Sequence, residues 1–204
     1  MNPTSSDARD TRAIQDLITR VDAQLPVGQG RLVGFIASGA GEGTSTVAAA
    51  YARLAAEQLR RRVLLLEAGQ GDGSRPGLLA TLADGRAIDE ALEPLPGGGW
   101  RASLCGTLGE GSIWELSART EFWRALRDRF DEVVVDLPAP DRSRLGLAVA
   151  PHCDGVAVVV EAEKTRAPVA EHLVSSLRAV RARVLGAVLN RRRFHLPVRI
   201  YRML

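Results

Sequence analysis

The sequence predicts an α/β domain built on a mostly parallel sheet with helices on both faces. Two patterns carry that reading. Short, wholly apolar segments such as Val63–Leu66 and Val156–Val160 alternate with longer amphipathic stretches. Strands buried on both faces read as continuous apolar runs, and parallel strands need crossover connections long enough for a helix. A glycine-rich turn, Ser38–Gly43, also sits directly between one apolar segment and one helical segment.

Each element follows from local pattern. Residues 1–12 read as a frayed polar start. Ile14, Leu17, Ile18, Val21 and Leu25 recur at helical spacing, so an amphipathic helix is expected over Ala13–Leu25, ended by Pro26 and a Gly28–Gly30 turn. Leu32–Ala37 reads as a buried strand. Val47, Tyr51 and Leu54 share one face of a helix over Ser45–Arg60, and Val63–Leu66 is the next strand. Gln70–Pro76 is loop, Leu78–Leu92 is helical in pieces, and Pro94–Gly99 breaks the chain before a weak strand at Trp100–Cys105. Phe122, Leu126 and Phe130 lie four apart on a helix. Val133–Asp136, Gly155–Val160 and Val184–Leu189 are strands, with a helix over Val169–Val180. No internal repeat is visible. The expected organisation is a polar segment and helix at 1–30, the α/β domain at 31–190, and a basic tail at 191–204.

Composition bounds the function. The chain has 204 residues, 46% hydrophobic and 25% charged, which suits a globular domain and excludes a disordered or collagen-like chain. No apolar run approaches the roughly 20 residues of a membrane span. Met1–Asp10 holds no apolar signal core, so a cytoplasmic location is expected. The net charge is +3, and Lys164 is the one lysine among 27 basic residues. That arginine load reads as base composition, with a basic binding face as the alternative. Cys105 and Cys153 lack metal or redox spacing and read as small buried residues. Trp100, Trp114 and Trp123 read as packing residues, and His152, His172 and His195 show no ligand spacing.

Gly39-Ala40-Gly41-Glu42-Gly43-Thr44-Ser45-Thr46 is the segment with the clearest chemistry. Glycines let the backbone approach a phosphate, the amides point inward, and the following helix N-terminus favours an anion. A loop of this kind usually ends Gly-Lys-Ser/Thr; here Thr44 stands at the lysine position and Ser45 at the Mg²⁺-ligating hydroxyl. A tight turn without a ligand is the bland alternative. Downstream, Phe130–Pro140 reads FDEVVVDLPAP. Its apolar residues carry Asp136 to the carboxyl edge of the sheet, where a carboxylate can hold the Mg²⁺ hydration shell; a turn aspartate is the alternative.

In these segments the chain resembles the cytoplasmic tyrosine-kinase domains of bacterial capsular and exopolysaccharide systems, relatives of the MinD/ParA P-loop NTPases. The resemblance runs from about Arg31 to the C-terminus. The family loop P-G-E-G-K-S-T is matched by AGEGTST at Ala40–Thr46. Its V-L-L-I-D-A-D-L-R-x-P is matched by VLLLEAG at Val63–Gly69, with Arg75-Pro76 beyond. Its Y-D-x-V-I-I-D-T-P-P is matched at Phe130–Pro140, and its later D-G-V and V-L-G-x-V-L-N segments fall within Cys153–Asn190. The resemblance implies a single-domain P-loop NTPase fold, ATP and Mg²⁺ as cofactors, and Gly41, Glu42, Gly43, Thr44, Ser45 and Thr46 as nucleotide-binding residues. It implies Ser45 and Asp136 as metal ligands, and Asp136 and Glu67 as catalytic carboxylates.

The departures shape the functional expectation. The lysine is Thr44, the first carboxylate of the second motif is the longer Glu67, and the second is Gly69. The tyrosine-rich tail is reduced to Tyr201, and the N-terminal oligomerisation motif finds only Ser6, Arg9 and Arg12. A lost charge-assisted phosphate contact weakens binding roughly 10- to 100-fold. The expectation is therefore a degenerate, non-kinase member that assists exopolysaccharide or capsule assembly beside an inner-membrane chain-length or co-polymerase protein. Self-association, and contact of Arg191–Arg193, Arg199 and Arg202 with an anionic membrane surface, are further expectations; nucleic acid is not an expected partner. The alternatives are a working tyrosine autokinase or ATPase, and a MinD/ParA-like positioning ATPase. The last is disfavoured because Gly39 stands where that group carries a signature lysine.

Overall fold

In the computed structural model, residues 5–26, 30–69, 77–106 and 120–191 are described. Helix α1 (Ser5–Gln24) precedes strand β1 (Arg31–Ala37), helix α2 (Thr44–Leu59) and strand β2 (Val63–Glu67). A short helix α3 (Leu78–Ala83) and a 3₁₀ turn lead to β3 (Glu93–Pro94) and β4 (Trp100–Ser103). Then follow α4 (Thr120–Arg129), β5 (Glu132–Asp136), α5 (Leu145–Val149), β6 (Gly155–Glu161), α6 (Ala167–Ala179) and β7 (Val184–Asn190). Among the described residues the strands form one sheet in the order β3-β4-β2-β5-β1-β6-β7, in which only the β3–β4 pair is antiparallel. The expected mostly parallel α/β architecture is the one observed.

The apolar strand segments are explained by burial on both faces. Along β1, Leu32 and Ile36 enter one core layer while Val33, Phe35 and Ala37 enter the other. Leu64 and Leu66 of β2, Val133 and Val135 of β5, and Val156 and Val158 of β6 join the first layer. Val63, Leu65, Val134, Ala157 and Val159 join the second. The period of two is present in space, but both faces are dry, so the sequence shows no polar alternation.

Helix α1 begins eight residues earlier than its apolar periodicity suggests, at Ser5 rather than Ala13. Its buried Ile18 and Val21, with Leu25 beyond its end, belong to the same core layer as α2. A charged network ties it down at the amino edge of the sheet. Glu132 is fully buried and accepts from Arg31 (2.8 Å), Arg61 (2.8 Å) and the Tyr51 hydroxyl (2.7 Å). Asp22 of α1 accepts from both arginines as well, from the Arg31 Nη2 that also reaches Glu132 (2.5 Å) and from the other Nη of Arg61 (2.6 Å). Every charge there has a partner, as burial requires. Both cysteines are buried, and neither is in a disulfide. Burial first, with Asp154 beside it, pushes the Cys153 thiol up to about 12, so it packs as an inert side chain.

Among the described residues no helix is long and apolar enough to cross a membrane. Trp123 is buried against Phe122 and stacks on His152, whereas Trp100 is partly exposed. Trp114, His195, Arg75, Tyr201 and the tail arginines beyond Arg191 lie outside the described residues.

Candidate functional site

The carboxyl ends of β1, β2 and β5 meet at one edge of the sheet, and a cleft of about 790 Å³ opens there. Its walls include Gly39–Gly41, Gly43–Thr46, Glu67–Gly69, Asp136–Ala139, Arg142 and Arg191. That volume lies in the range of small-molecule sites, at the position where open α/β sheets bind ligands.

The loop from β1 to α2 is built for close backbone approach. Gly41 has φ +83° and Gly43 φ +92°, in the left-handed region that glycine enters freely. A side chain at Gly43 would also collide with Asn190, since a Cβ would stand 2.1 Å from its Nδ2. Four residues from three segments distant in sequence brace this loop. Asn190 donates to the Glu42 carbonyl (2.8 Å) and Arg191 to the Gly41 carbonyl (2.8 Å). Thr165, past β6, donates to Glu42 Oε1 (2.8 Å), and the Asp141 carboxylate, past β5, accepts from the Ala40 amide (3.1 Å).

The residues singled out from sequence fall into four groups. Gly41, Gly43, Thr44, Ser45 and Thr46 all line the cleft. Glu42 does not: its carboxylate is buried and also accepts from Ser38 (3.0 Å), so its side chain shapes the loop from behind. Glu67 and Asp136 come together, because β2 and β5 pair with these two residues directly opposite each other. Lys164 is not in the cleft; it is 67% exposed and paired with Glu161 at 3.0 Å.

The electrostatics of the acidic pair matter for metal binding. Burial raises the Asp136 carboxyl above the ordinary aspartate range; a hydrogen bond with Ser45 pulls it back, and the Glu67 charge pushes it up again. Glu67 is partly screened by Arg101 at 3.9 Å. Among the described residues no cluster of three or more His, Cys, Asp or Glu forms a metal cage of protein groups alone. Mg²⁺ does not need one: it is commonly held by one or two carboxylates with phosphate oxygens and water. Two adjacent carboxylates and a hydroxyl already bonded to one of them fit that demand. When bound, Mg²⁺ with a nucleotide would supply charge neutralisation between phosphate oxygens and the acidic pair.

At the two positions where the sequence resemblance leads one to expect a lysine and a second carboxylate, the cleft wall holds Thr44, with a hydroxyl, and Gly69. Gly69 lines the cleft without a side chain, and nothing stands within 4 Å of where its Cβ would be. The sequence reading missed the loop's distant braces and the two cleft arginines, Arg142 and Arg191. Arg191 was visible only as the start of a basic tail, and Asp141-Arg142 only as the residues just after FDEVVVDLPAP.

Neither a scan against family models nor a search of curated proteins found a match. Solved structures do match. The kinase domain of VpsO superposes with a TM-score of 0.72 at 23% identity, covering 92% of this chain and 98% of that one. The kinase domain of the Escherichia coli tyrosine kinase ETK gives 0.72 at 18% identity, covering 92% and 79%. A ParA family ATPase from Chlorobium tepidum gives 0.62 at 18% identity, covering 79% and 74%. The chain thus shares the P-loop NTPase fold of these kinase domains and of the ParA ATPase.

Proposed function

We propose that this chain is a degenerate, tyrosine-kinase-like P-loop protein that binds Mg²⁺–ATP weakly and assists exopolysaccharide or capsule assembly. Its partner is an inner-membrane chain-length or co-polymerase protein, and it works peripherally at the cytoplasmic face of that membrane. The observation that carries the reading is the composition of one cleft. The glycine loop, Ser45, Asp136 and Glu67 are together there, while the positions for the phosphate cation and the second carboxylate hold Thr44 and Gly69. The amide cradle and helix α2 can still hold phosphate. Ser45 and Asp136 can orient Mg²⁺. Glu67, one methylene longer than aspartate, is the remaining candidate to take a proton from an attacking hydroxyl.

Tyrosine phosphorylation by this chain is accordingly negligible in the proposed reading. Calorimetry with ATP and Mg²⁺, and incubation with labelled ATP with and without a candidate membrane partner, test it. Weak binding without label is the expected result. Robust label on Tyr201 that disappears in Asp136→Ala would replace it with the autokinase reading. One observation favours a nucleotide-responsive protein over an inert scaffold: two arginines line the cleft from which the lysine is missing. The fuller superposition on the kinase domains than on the ParA ATPase supports the polysaccharide reading over a positioning ATPase.

A further inference from the structure

We infer that Arg191 makes the cationic contact to nucleotide phosphate that Thr44 cannot make, so that the charge is carried by the end of β7 instead of the first turn of α2. This rests on the nucleotide-cleft reading above and assigns it a specific residue. Arg191 adopts φ +55°, a left-handed conformation uncommon for a residue with a long side chain. The surroundings hold it there. Its amide donates to the side-chain oxygen of Asn190 (2.9 Å), and the Asn190 amide nitrogen is fixed in turn on the Glu42 carbonyl. The turn folds the arginine back over the phosphate loop rather than onward along the strand.

The guanidinium lies against both left-handed glycines. Nη1 donates to the Gly41 carbonyl, and Nε is 3.8 Å from where a Cβ on Gly43 would stand. Glu161 Oε1, 3.3 Å from Nη1, steadies it from the other side. Glu161 also holds Lys164, so one carboxylate is shared by two cations and the group stays net positive. Among the described residues Nε and Nη2 carry no hydrogen bond, which leaves the three N–H groups on these two nitrogens for phosphate oxygens. The other cation of the cleft, Arg142, is exposed and follows β5; no such network positions it among the described residues.

The test is calorimetry on the full chain with Mg²⁺–ATP, ADP and adenosine at several salt concentrations, with melting curves to verify folding. Arg191→Gln should weaken ATP binding about 10- to 100-fold, with little change for adenosine and a flatter salt dependence. Arg191→Lys should recover part of the loss, and Thr44→Lys in the Arg191→Gln background should recover most of it. Equal losses for ATP and adenosine at unchanged salt dependence would make Arg191 a loop brace and overturn the inference. So would wild-type ATP affinity in Arg191→Gln, which leaves the nucleotide cleft itself standing. If neither the wild-type chain nor Thr44→Lys binds any of the three, the nucleotide reading falls, and this inference with it.

Discussion

Thr44→Lys places a cation at the first residue of α2, on the wall of the cleft. A charge-assisted hydrogen bond to phosphate contributes roughly 1.5–3 kcal/mol, so ATP affinity should rise by about 10- to 100-fold. Without ligand the same cation faces the positive end of the α2 dipole, at a cost of about 0.3–1 kcal/mol. For a domain of this size that lowers the melting temperature by roughly 1–4 °C. The two effects have opposite signs and separate cleanly. The free variant melts lower than wild type, and saturating Mg²⁺–ATP raises it further than it raises wild type, because each tenfold in affinity adds about 1.4 kcal/mol at a fixed ligand excess. Calorimetry gives the affinity and thermal melts give the stability. The gain should be greater in an Arg191→Gln background, where no second cation competes for the phosphate. Unchanged ATP affinity in Thr44→Lys would mean that Thr44 does not face a phosphate, and the cradle reading would fail.

Turnover should need more than the lysine. Gly69 has open space for a side chain, so Thr44→Lys combined with Gly69→Asp and Glu67→Asp should hydrolyse ATP where Thr44→Lys alone does not, since groups acting as one unit are non-additive; full ATPase activity in the single variant would contradict this. Asp141→Ala frees the Ala40 amide and removes a negative charge from the loop, and ATP should bind a few-fold tighter by calorimetry; weaker binding would show that the carboxylate organises the cradle instead of competing for it. Acid should loosen α1. Burial alone would raise the Asp22 carboxyl, but hydrogen bonds and charge from Arg61 and Arg31 outweigh it and hold it below the ordinary aspartate range. The stabilisation is therefore complete above the unfolded value and is lost as pH falls through the folded one. Asp22→Asn should flatten the acid limb of melting temperature against pH, and an unaltered limb would show that the network does not couple α1 to the core.

Much of this protein was legible in its sequence because the relevant physics is local. Strands dry on both faces must be wholly apolar, so β1, β2, β5 and β6 announced themselves; the half-exposed edge strand β7 is apolar as well, and the alternation of these strands with helices determined the sheet class. The glycines at 41 and 43 and the aspartate closing β5 marked a loop and an edge. The substitutions at Thr44 and Gly69 were equally plain. Other features were decided only by the tertiary structure. Helix α1 extends to Ser5 because periodicity reports the buried face alone and is silent over a polar turn. Glu67 lies beside Asp136 through strand register, which no single segment encodes. Glu42 turns out of the cleft because Ser38 and Thr165 offer it hydroxyls. The shape of the glycine loop depends on Asp141, Thr165, Asn190 and Arg191, which lie at or just beyond the carboxyl ends of three different strands. Hydrogen bonds between groups a hundred or more residues apart leave no periodic trace in the chain, so these partners become visible only where the fold brings them together.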